Sequence, residues 1–495
     1  MVLTATVMMD SLPGGELQAD LKAADASLNL DKQGLKLPEF ILTAYGATIS
    51  GSAEAGNLFG KVNGTGTLKL AEFSPAATLK KMGGTLPEMQ DPAALTSASG
   101  ELELTYRDDS LNVEPFVLKL DGQNLAGKLT VDNLENPAIL CRAELDSFDL
   151  DRYLPPRDKA KEAEKEAETP KPEGEAGQGD DELIPVETVR ELNLDAMASA
   201  DYLKLKGIQL ADVKIHVQAK DGRVVVKPFS FKGYEGAITT AAIVDVAGDT
   251  PHSGVAVHVN GLNAGPLAKD FAGRDDIAGN VDLHLVADGL GNTVPAILET
   301  LGGTFKVDLQ DGVFPGVDLA GLAQKTKSEK DKGGTIEADS KGKTKFGSIT
   351  GSGVIDKGVV TNKDLSLMAP NLRAIGDGTV NLASQKLNYT VLAKLVASSK
   401  GQGGLSYNEL TGIAIPVHLG GTLSDPSWYV DVTQYVKMLG GAVVGTVGDV
   451  LSGVGNILTL GGVGKQQEEQ RKERRKALRV DDDPEPTIRE LEARF

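Results

Sequence analysis

The amino-acid sequence predicts a mainly β protein: an elongated, curved antiparallel β-sheet of repeated meanders, forming a gutter or a partly closed sandwich, with a few short helices. Three observations predict this class. One strand pattern recurs four times, several strands alternate apolar and polar residues, and the 495 residues include 58 glycines but only 4% aromatic residues. Abundant glycine with few aromatic residues suits a long repetitive sheet better than a compact enzyme core.

The recurring unit is a strand, a hydrophobic hinge, a glycine and a second strand, as in a β-meander. Phe40, Phe116, Phe229 and Leu365 hold the equivalent hinge position. The four copies read LKLPEFILTAYGATISGSAEA from Leu35, LNVEPFVLKLDGQNLAGKLTV from Leu111, VVVKPFSFKGYEGAITTAAIV from Val224 and VVTNKDLSLMAPNLRAIGDGTV from Val359.

Alternation of apolar and polar residues marks strands with one apolar face and one wet face. It predicts four apolar rows: Val213, Ile215 and Val217; Val281, Leu283 and Leu285; Phe305, Val307 and Leu309; and Leu387, Tyr389 and Val391. Asp221-Gly222 and Asp311-Gly312 are predicted hairpin turns, because glycine accepts the positive φ that such turns require.

Short helices are predicted at residues 74–82, 185–198, 263–271 and 293–301, from N-cap residues and nearby prolines. They are too small to cover a sheet of this length. Residues 325–345 are predicted to form a mobile, charged loop.

The predicted organisation has five parts. They are an N-terminal β-repeat region (1–154), a disordered acidic linker rich in Pro and Gly (155–185), a second β domain (186–437), a Gly/Val-rich amphipathic segment (438–464) and a charged tail (465–495). Residues 155–182 contain no large apolar side chain, so ordering them would bury too little surface to offset the lost entropy.

Composition and spacing argue against several classes of function. The chain has 51 basic and 70 acidic residues, a net charge of -19, whereas nucleic-acid binding needs a basic face. The single cysteine, Cys141, and five scattered histidines offer no metal-ligand spacing. A polysaccharide-active enzyme would need clustered aromatic residues, and Trp428 is the only tryptophan. We predict no catalytic, cofactor or metal site, and therefore no enzyme.

The ordered series of segments after residue 185 resembles the C-terminal domain of the AsmA family. It comprises LKLKGIQLADVKIHVQAKDGRVVVKPFSFKGYEGAITTAAIVD from Leu203, LGGTFKVDLQDGVFPGVDLAGL from Leu301, FGSITGSGVIDKGVVTNKDLSLMAPNLRAIGDGTVNLASQKLNYTV from Phe346 and IAIPVHLGGTLSDPSWYVD from Ile413. LDSFDLDRYLPP from Leu145 is similar to a recurrent phrase of the same family.

The resemblance implies a periplasmic protein that is tied to the inner membrane in full-length members and acts in outer-membrane assembly. Larger relatives, the TamB-like proteins, resemble gutters of β-sheet that carry phospholipid. Residues 1–10 contain neither a signal peptide nor an anchor. The implied partners are phospholipid, bacterial membranes and envelope proteins, and no nucleic acid.

The apolar rows leave two alternatives, because a sheet with one apolar face must cover it with a second layer or a ligand. In the first, the rows, together with Phe229 and Phe231, line a groove that binds or conducts phospholipid. In the second, the rows form a closed core, and the protein is a structural or regulatory assembly factor that binds protein clients and no lipid. A further amphipathic stripe is predicted to touch a membrane: Val443, Val447, Val450, Val454 and Ile457.

Overall fold

The computed structural model describes residues 2–8, 16–156, 182–329, 331–339, 342–370, 372–395, 414–439 and 485–495. The chain divides into two compact units. Unit 1 comprises Met1–Lys171 and Val186–Phe231, and unit 2 comprises Pro172–Pro185 and Lys232–Phe495. Both consist mainly of antiparallel strands with short helices, which confirms the predicted fold class.

Unit 1 is a sheet in which strands that follow one another in the chain are also neighbours. Strands β2, β4 and β5 to β12 pair in this order, β1 pairs with β2, and β3 pairs with β4. Its elements are β1 (Val2–Met8), β2 (Glu16–Ala24), β3 (Ser27–Asn29), β4 (Gly34–Ala44), β5 (Ala47–Gly56), β6 (Asn63–Phe73), α1 (Pro75–Lys81), β7 (Ala98–Arg107), β8 (Ser110–Leu120), β9 (Gln123–Asp132), β10 (Ala138–Asp149), a 3-10 helix (Leu150–Tyr153), α2 (Val186–Glu191), β11 (Asn193–Leu205), β12 (Ile208–Lys220) and β13 (Arg223–Gly233).

Unit 2 is an antiparallel sheet in the order β14, β15, β16, β17, β19, β20, β21, β22, β23, β24 and β18. Its elements are β14 (Gly236–Asp245), β15 (His252–Asn263), α3 (Ala264–Ala272), β16 (Ala278–Leu290), α4 (Val294–Thr300), β17 (Gly302–Pro315), α5 (Leu319–Glu329), β18 (Thr335–Glu337), β19 (Lys343–Asp356), β20 (Val359–Ala369), β21 (Leu372–Asn381), β22 (Leu387–Leu395), β23 (Ile415–Gly421), β24 (Pro426–Asp431), α6 (Val432–Leu439) and α7 (Glu485–Glu492).

Three of the four predicted helices are confirmed, and their N-caps explain where they begin. Ser74, Thr293 and Asn263 each accept a hydrogen bond from a backbone amide in the first turn of α1, α4 and α3. The prediction at 185–198 is wrong beyond α2, because the residues from Asn193 onward are strand β11. Pairing with two neighbouring strands overrides the weak helical signal there.

The recurring unit is a hairpin with a bulge at the hinge. In β4 and β8 the register shifts between Leu37 and Phe40 and between Val113 and Phe116, so each phenylalanine follows a bulge. Strand β20 shifts in the same way before Leu365. The bulge therefore sets the direction of the hinge side chain, which accounts for the recurrence of a large apolar residue at this position.

The two predicted Asp-Gly turns differ in outcome. Asp221 and Gly222 both have positive φ and form the turn after β12, as predicted. The prediction at Asp311 and Gly312 is wrong, because both residues lie within β17. Asp311 has a φ of 50°, and the register shifts beside it, so the dipeptide serves a bulge instead of a hairpin.

Part of unit 2 encloses a closed hydrophobic core. Helix α5 packs on β19 and β22 and buries Leu319, Leu322 and Ala323 against strand residues such as Val391 and Val417. The prediction of a mobile loop at 325–345 is therefore wrong where α5 and β18 occupy it. β18 pairs with β24.

Helix α7, within the predicted charged tail, packs on the face of β14, β15 and β16 that carries His284 and Asp288 together with the buried Ile243 and Val286. Leu491 is fully buried and lies close to Gly254. Oε2 of Glu490 lies 2.7 Å from Nε2 of His284, and the ring of Phe495 stacks on His252 at 3.9 Å. The last residues of the chain thus contribute to the packing of unit 2.

The sheet of unit 1 contains strands from both sides of the predicted linker. β10, before residues 155–185, pairs in parallel with β11, after them. Among the residues that follow the linker, the division into units falls after Phe231. Residues 157–181 lie outside the described part of the chain.

The phrase LDSFDLDRYLPP forms a polar clasp at the end of β10. The carboxylate of Asp121 accepts hydrogen bonds from the amides of Leu95, Thr96 and Ser97 and from the Tyr153 hydroxyl, at 2.7 to 3.0 Å. A second carboxylate, that of Asp151, accepts bonds from the amides of Lys206 and Gly207, and Arg152 pairs with Asp91 at 2.7 Å. We call this group of Asp91, Asp121, Asp151, Arg152 and Tyr153 the aspartate clasp. Its role is structural.

The clasp shifts the ionisation of two of its members. Burial opposes ionisation of Asp121, but the hydrogen bonds from the three amides and from Tyr153 outweigh burial and hold its pKa below the usual 3.8. Burial and the hydrogen bond to Asp121 raise the pKa of Tyr153 to about 12. The ionised carboxylate and the neutral phenol are thus the favoured forms.

We expect Asp121→Asn to lower the free energy of unfolding by about 1–3 kcal/mol at pH 7, because a charged acceptor of several hydrogen bonds is lost. Since the pKa of Asp121 is lowered by folding, the advantage of the wild type is complete above pH ~4 and declines as the pH falls through the lowered value. Urea unfolding of both proteins between pH 2.5 and 7 measures this. The exposed Asp132→Asn is the control, and an equal loss in both variants would contradict the clasp.

Candidate functional site

One face of the unit 1 sheet is apolar across nine consecutive strands. Directly paired residues from β4 to β12 form three rows. They are Leu37, Ala53, Gly66, Leu104, Val113, Leu129, Cys141, Ala196 and Val217; Phe40, Gly51, Leu68, Leu102, Phe116, Gly127, Ala143, Ala198 and Ile215; and Leu42, Ile49, Leu70, Gly100, Leu118, Leu125, Leu145, Ala200 and Val213. We call these rows the apolar face of unit 1.

The opposite face carries polar side chains at the intervening positions. One row there runs Lys36, Glu54, Thr65, Thr105, Asn112, Thr130, Leu140, Asp195 and Gln218. Lys36 and Glu54 form an exposed ion pair at 2.6 Å. Polar side chains predominate on this face, and Leu140 and Met197 are exposed apolar exceptions.

Unit 1 supplies no second layer over its apolar face in the part of the chain that the structure describes. The substantial strand contacts join neighbours within the sheet, the 3-10 helix contacts β11, and α2 contacts β12. Most of the row residues remain partly exposed, and Leu118 is 41% exposed. Spacing of about 4.8 Å between strands gives this face a width of about 38 Å.

One glycine on the face, Gly127, lies beneath an aromatic ring. A Cβ atom on Gly127 would lie 2.9 Å from Cζ of Phe116, which crosses it from the neighbouring strand. In unit 2, Phe305 covers Gly353 and Tyr389 covers Gly378 in the same way. At these three positions the absence of a Cβ atom leaves room for the neighbouring ring.

The first predicted row lies on this face, as its alternation indicated. Val213, Ile215 and Val217 each end one of the three rows. Val213 is buried with Ala200 and Leu210, and Phe229 and Phe231 pack against this cluster. The two phenylalanine rings are 5.5 Å apart.

The second and third predicted rows lie side by side in unit 2. Val281 pairs with Leu309, Leu283 with Val307, and Leu285 with Phe305. All six are partly exposed, and Leu309 packs against the closed core. Local alternation predicts the members of each row, whereas the pairing of the two rows is seen only in the structure.

The fourth predicted row belongs to the closed core of unit 2. Val391 is 2% exposed, Tyr389 packs against the core, and Leu387 is partly exposed. The Tyr389 hydroxyl donates to Asn362, and burial raises the pKa of Tyr389. Protein atoms already cover two members of this row. The predicted membrane stripe of Val443, Val447, Val450, Val454 and Ile457 lies outside the described residues.

The apolar rows predicted from the sequence include only β12 of this face, and its other eight strands, β4 to β11, were not predicted to belong to it. The signal was present, because Leu102 and Leu104 alternate with Glu101 and Glu103 in β7. Small residues such as Gly66 interrupt the alternation in β5 and β6, and they hide it from a search for large apolar side chains.

Polar clusters occur on the wet faces. Asp195 accepts a hydrogen bond from Gln218 at 3.1 Å, lies 3.0 Å from His216 and pairs with Arg142 at 2.9 Å. The Gln218 bond, followed by His216 and Arg142, holds the pKa of Asp195 below 3.8. No group of His, Cys, Asp and Glu suited to a metal ion occurs among the described residues. Nor, within the described ranges, is any helix long and apolar enough to cross a membrane.

Comparison with known proteins agrees with the resemblance. The model of the AsmA family matches residues 11–365, so it covers much of unit 1 as well as part of unit 2. Protein AsmA from Escherichia coli (strain K12) is 19% identical over 342 residues, which are 66% of this chain and 54% of that protein. The chain therefore spans about half the length of this relative. No solved structure matches it.

Proposed function

Since the chain belongs to the AsmA family, we propose that it is a non-enzymatic envelope protein that acts in outer-membrane assembly by holding phospholipid acyl chains on the apolar face of unit 1. The proposed location is the periplasm, with inner-membrane attachment in the full-length protein. The observation that carries the proposal is a nine-strand apolar face over which the described residues of unit 1 form no covering layer.

The dimensions of the apolar face suit acyl chains. A bilayer core of about 30 Å holds two chains end to end, so one chain is about 15 Å long. The face is about 38 Å wide and its rows contain no charged side chain. Each methylene removed from water contributes about 0.8 kcal/mol, so a bound chain would supply a substantial driving force.

The shape of the wall also favours a lipid over a folded ligand. The rows consist of aliphatic, small and aromatic residues and offer no polar anchors, whereas sites for rigid small molecules usually have a few precisely placed polar groups. A flexible chain can adapt to such a wall. The closed core of unit 2 fits a scaffold role for that unit, in which it binds protein clients.

The proposal predicts that phospholipid copurifies with the protein and is lost in Ile215→Glu, because a carboxylate on the face repels acyl chains. Organic extraction and mass spectrometry measure the lipid, and circular dichroism checks the fold. Lys214→Glu, on the opposite face of β12, is the matched control and should retain lipid. Absence of lipid from the wild type would remove the proposal, and outright unfolding of Ile215→Glu would favour a closed core.

Cys141 provides a second probe, because it is the only cysteine and lies between Leu129 and Ala196 on the apolar face. We expect bound phospholipid to slow alkylation of its thiol, since acyl chains would cover it. Rates measured by mass spectrometry with and without lipid test this. The paired variant Cys141→Ser/Leu140→Cys, with its thiol on the opposite face, is the control. Equal slowing at both positions would argue against face-specific binding.

A further inference from the structure

We infer that the turns at one end of the unit 1 sheet insert into the surface of a phospholipid bilayer. The turns are residues 30–33, 57–62, 108–109 and 133–137, which join β3 to β4, β5 to β6, β7 to β8 and β9 to β10. Antiparallel pairing brings all four to one end of the sheet. We call this the turn end.

Large apolar side chains project from the turn end into solvent. Phe59 is 72% exposed, Leu30 is 61% exposed and Leu134 is 51% exposed. Leu28, in the adjoining strand β3, is 60% exposed. Leu28, Leu30 and Phe59 lie in β3 and in two turns that a hydrogen bond joins, so exposed apolar side chains are grouped at this end of the sheet, and such groups mark interaction sites.

The turns hold these side chains on an ordered backbone. The amide of Leu58 donates to the carbonyl of Gln33 at 3.1 Å, which joins two of the turns. The amide of Gly60 donates to the Asn57 carbonyl at 2.9 Å, and that of Asn136 to the Asn133 carbonyl at 3.1 Å. Because the main chain bonds internally, the side chains of Phe59 and Leu134 are left as the outward features.

The other end of the same sheet differs. There the turn at Tyr45 and Gly46 contacts α1, through a bond from the Thr78 hydroxyl to the Tyr45 carbonyl, and the aspartate clasp covers the ends of β8 and β10. Hydrogen bonds to α1 and within the aspartate clasp thus cover turns and strand ends there, whereas the turn end carries exposed apolar side chains. The apolar face runs between them.

The distribution of the tips favours a bilayer over a protein. Phe59 and Leu134 lie on turns separated by four strands, about 19 Å apart, with the charged turn of Asp108 and Asp109 between them. A protein interface needs a contiguous apolar centre, whereas separate tips can each enter a fluid bilayer independently. The charge of the turns favours a bilayer without net negative charge. The four turns together contain four acidic residues and two basic ones, which are Asp31, Asp108, Asp109, Glu135, Lys32 and Lys61.

This inference rests on the proposed function in one respect: the bilayer would be the source or the destination of the lipid held on the apolar face. The turn end is where such a lipid would pass between the two. The partner that the exposed side chains of the turn end contact is therefore the interfacial region of a bilayer of zwitterionic phospholipid.

Flotation of the full chain with phosphatidylcholine vesicles tests the inference. The triple variant Leu30→Ser, Phe59→Ser and Leu134→Ser should bind at least tenfold more weakly than the wild type. A matched control, Phe271→Ser, Leu290→Ser and Leu423→Ser, removes three comparably exposed apolar side chains elsewhere and should bind as the wild type does. Two results would overturn the inference. In the first, the two triple variants bind the vesicles equally well. In the second, the wild type does not float with the vesicles, and crosslinking shows a protein that covers the turn end.

Two further measurements separate this inference from the proposed function. Short-chain phosphatidylcholine, offered below its micelle concentration, should bind the tip variant as well as the wild type, because the apolar face is intact. Conversely, Ile215→Glu should float with vesicles but bind no monomeric lipid. Loss of both activities in the tip variant with the fold preserved would contradict a role confined to the bilayer surface.

Discussion

The alternation of apolar and polar side chains along paired strands gives each sheet an apolar face. That face must be covered by a second layer or by a ligand. Unit 2 meets this requirement in part with its own chain, because α5 buries Leu319, Leu322 and Ala323 against β19 and β22. Unit 1 pairs strands with similar regularity but has no described layer of its own over the face. The need for an external cover is the physical basis of the lipid proposal.

Much of the sheet follows from local patterns. Val213, Ile215 and Val217 predicted one face because side chains in a strand repeat every two residues, and N-caps such as Ser74 marked the starts of helices. The hairpin predicted at Asp311 and Gly312 was wrong, because residues with positive φ occur in β-bulges as well as in hairpin turns. The parallel pairing of β10 with β11 could not be predicted, since nothing local in either strand specifies a partner 55 residues away.

The candidate site was predicted less completely than the fold. Local alternation gave the rows but not which of them the chain itself covers, and Val391 proved to be core because α5 folds over it. Helix α5 was missed because its apolar residues occupy one narrow stripe beside charged lysines. Coverage of a face depends on distant segments, so it requires tertiary structure. The two ends of unit 1 illustrate this, since the aspartate clasp joins residues 91, 121 and 151.

The central claim is that the apolar face of unit 1 contacts acyl chains, and photocrosslinking in living cells tests it most directly. Benzoylphenylalanine would be placed at Leu104, on the face, and at Thr105, its neighbour on the polar side of β7. The account predicts phospholipid adducts, identified by mass spectrometry, at position 104 and not at position 105. Protein adducts at position 104, or equal lipid adducts at both positions, would contradict it.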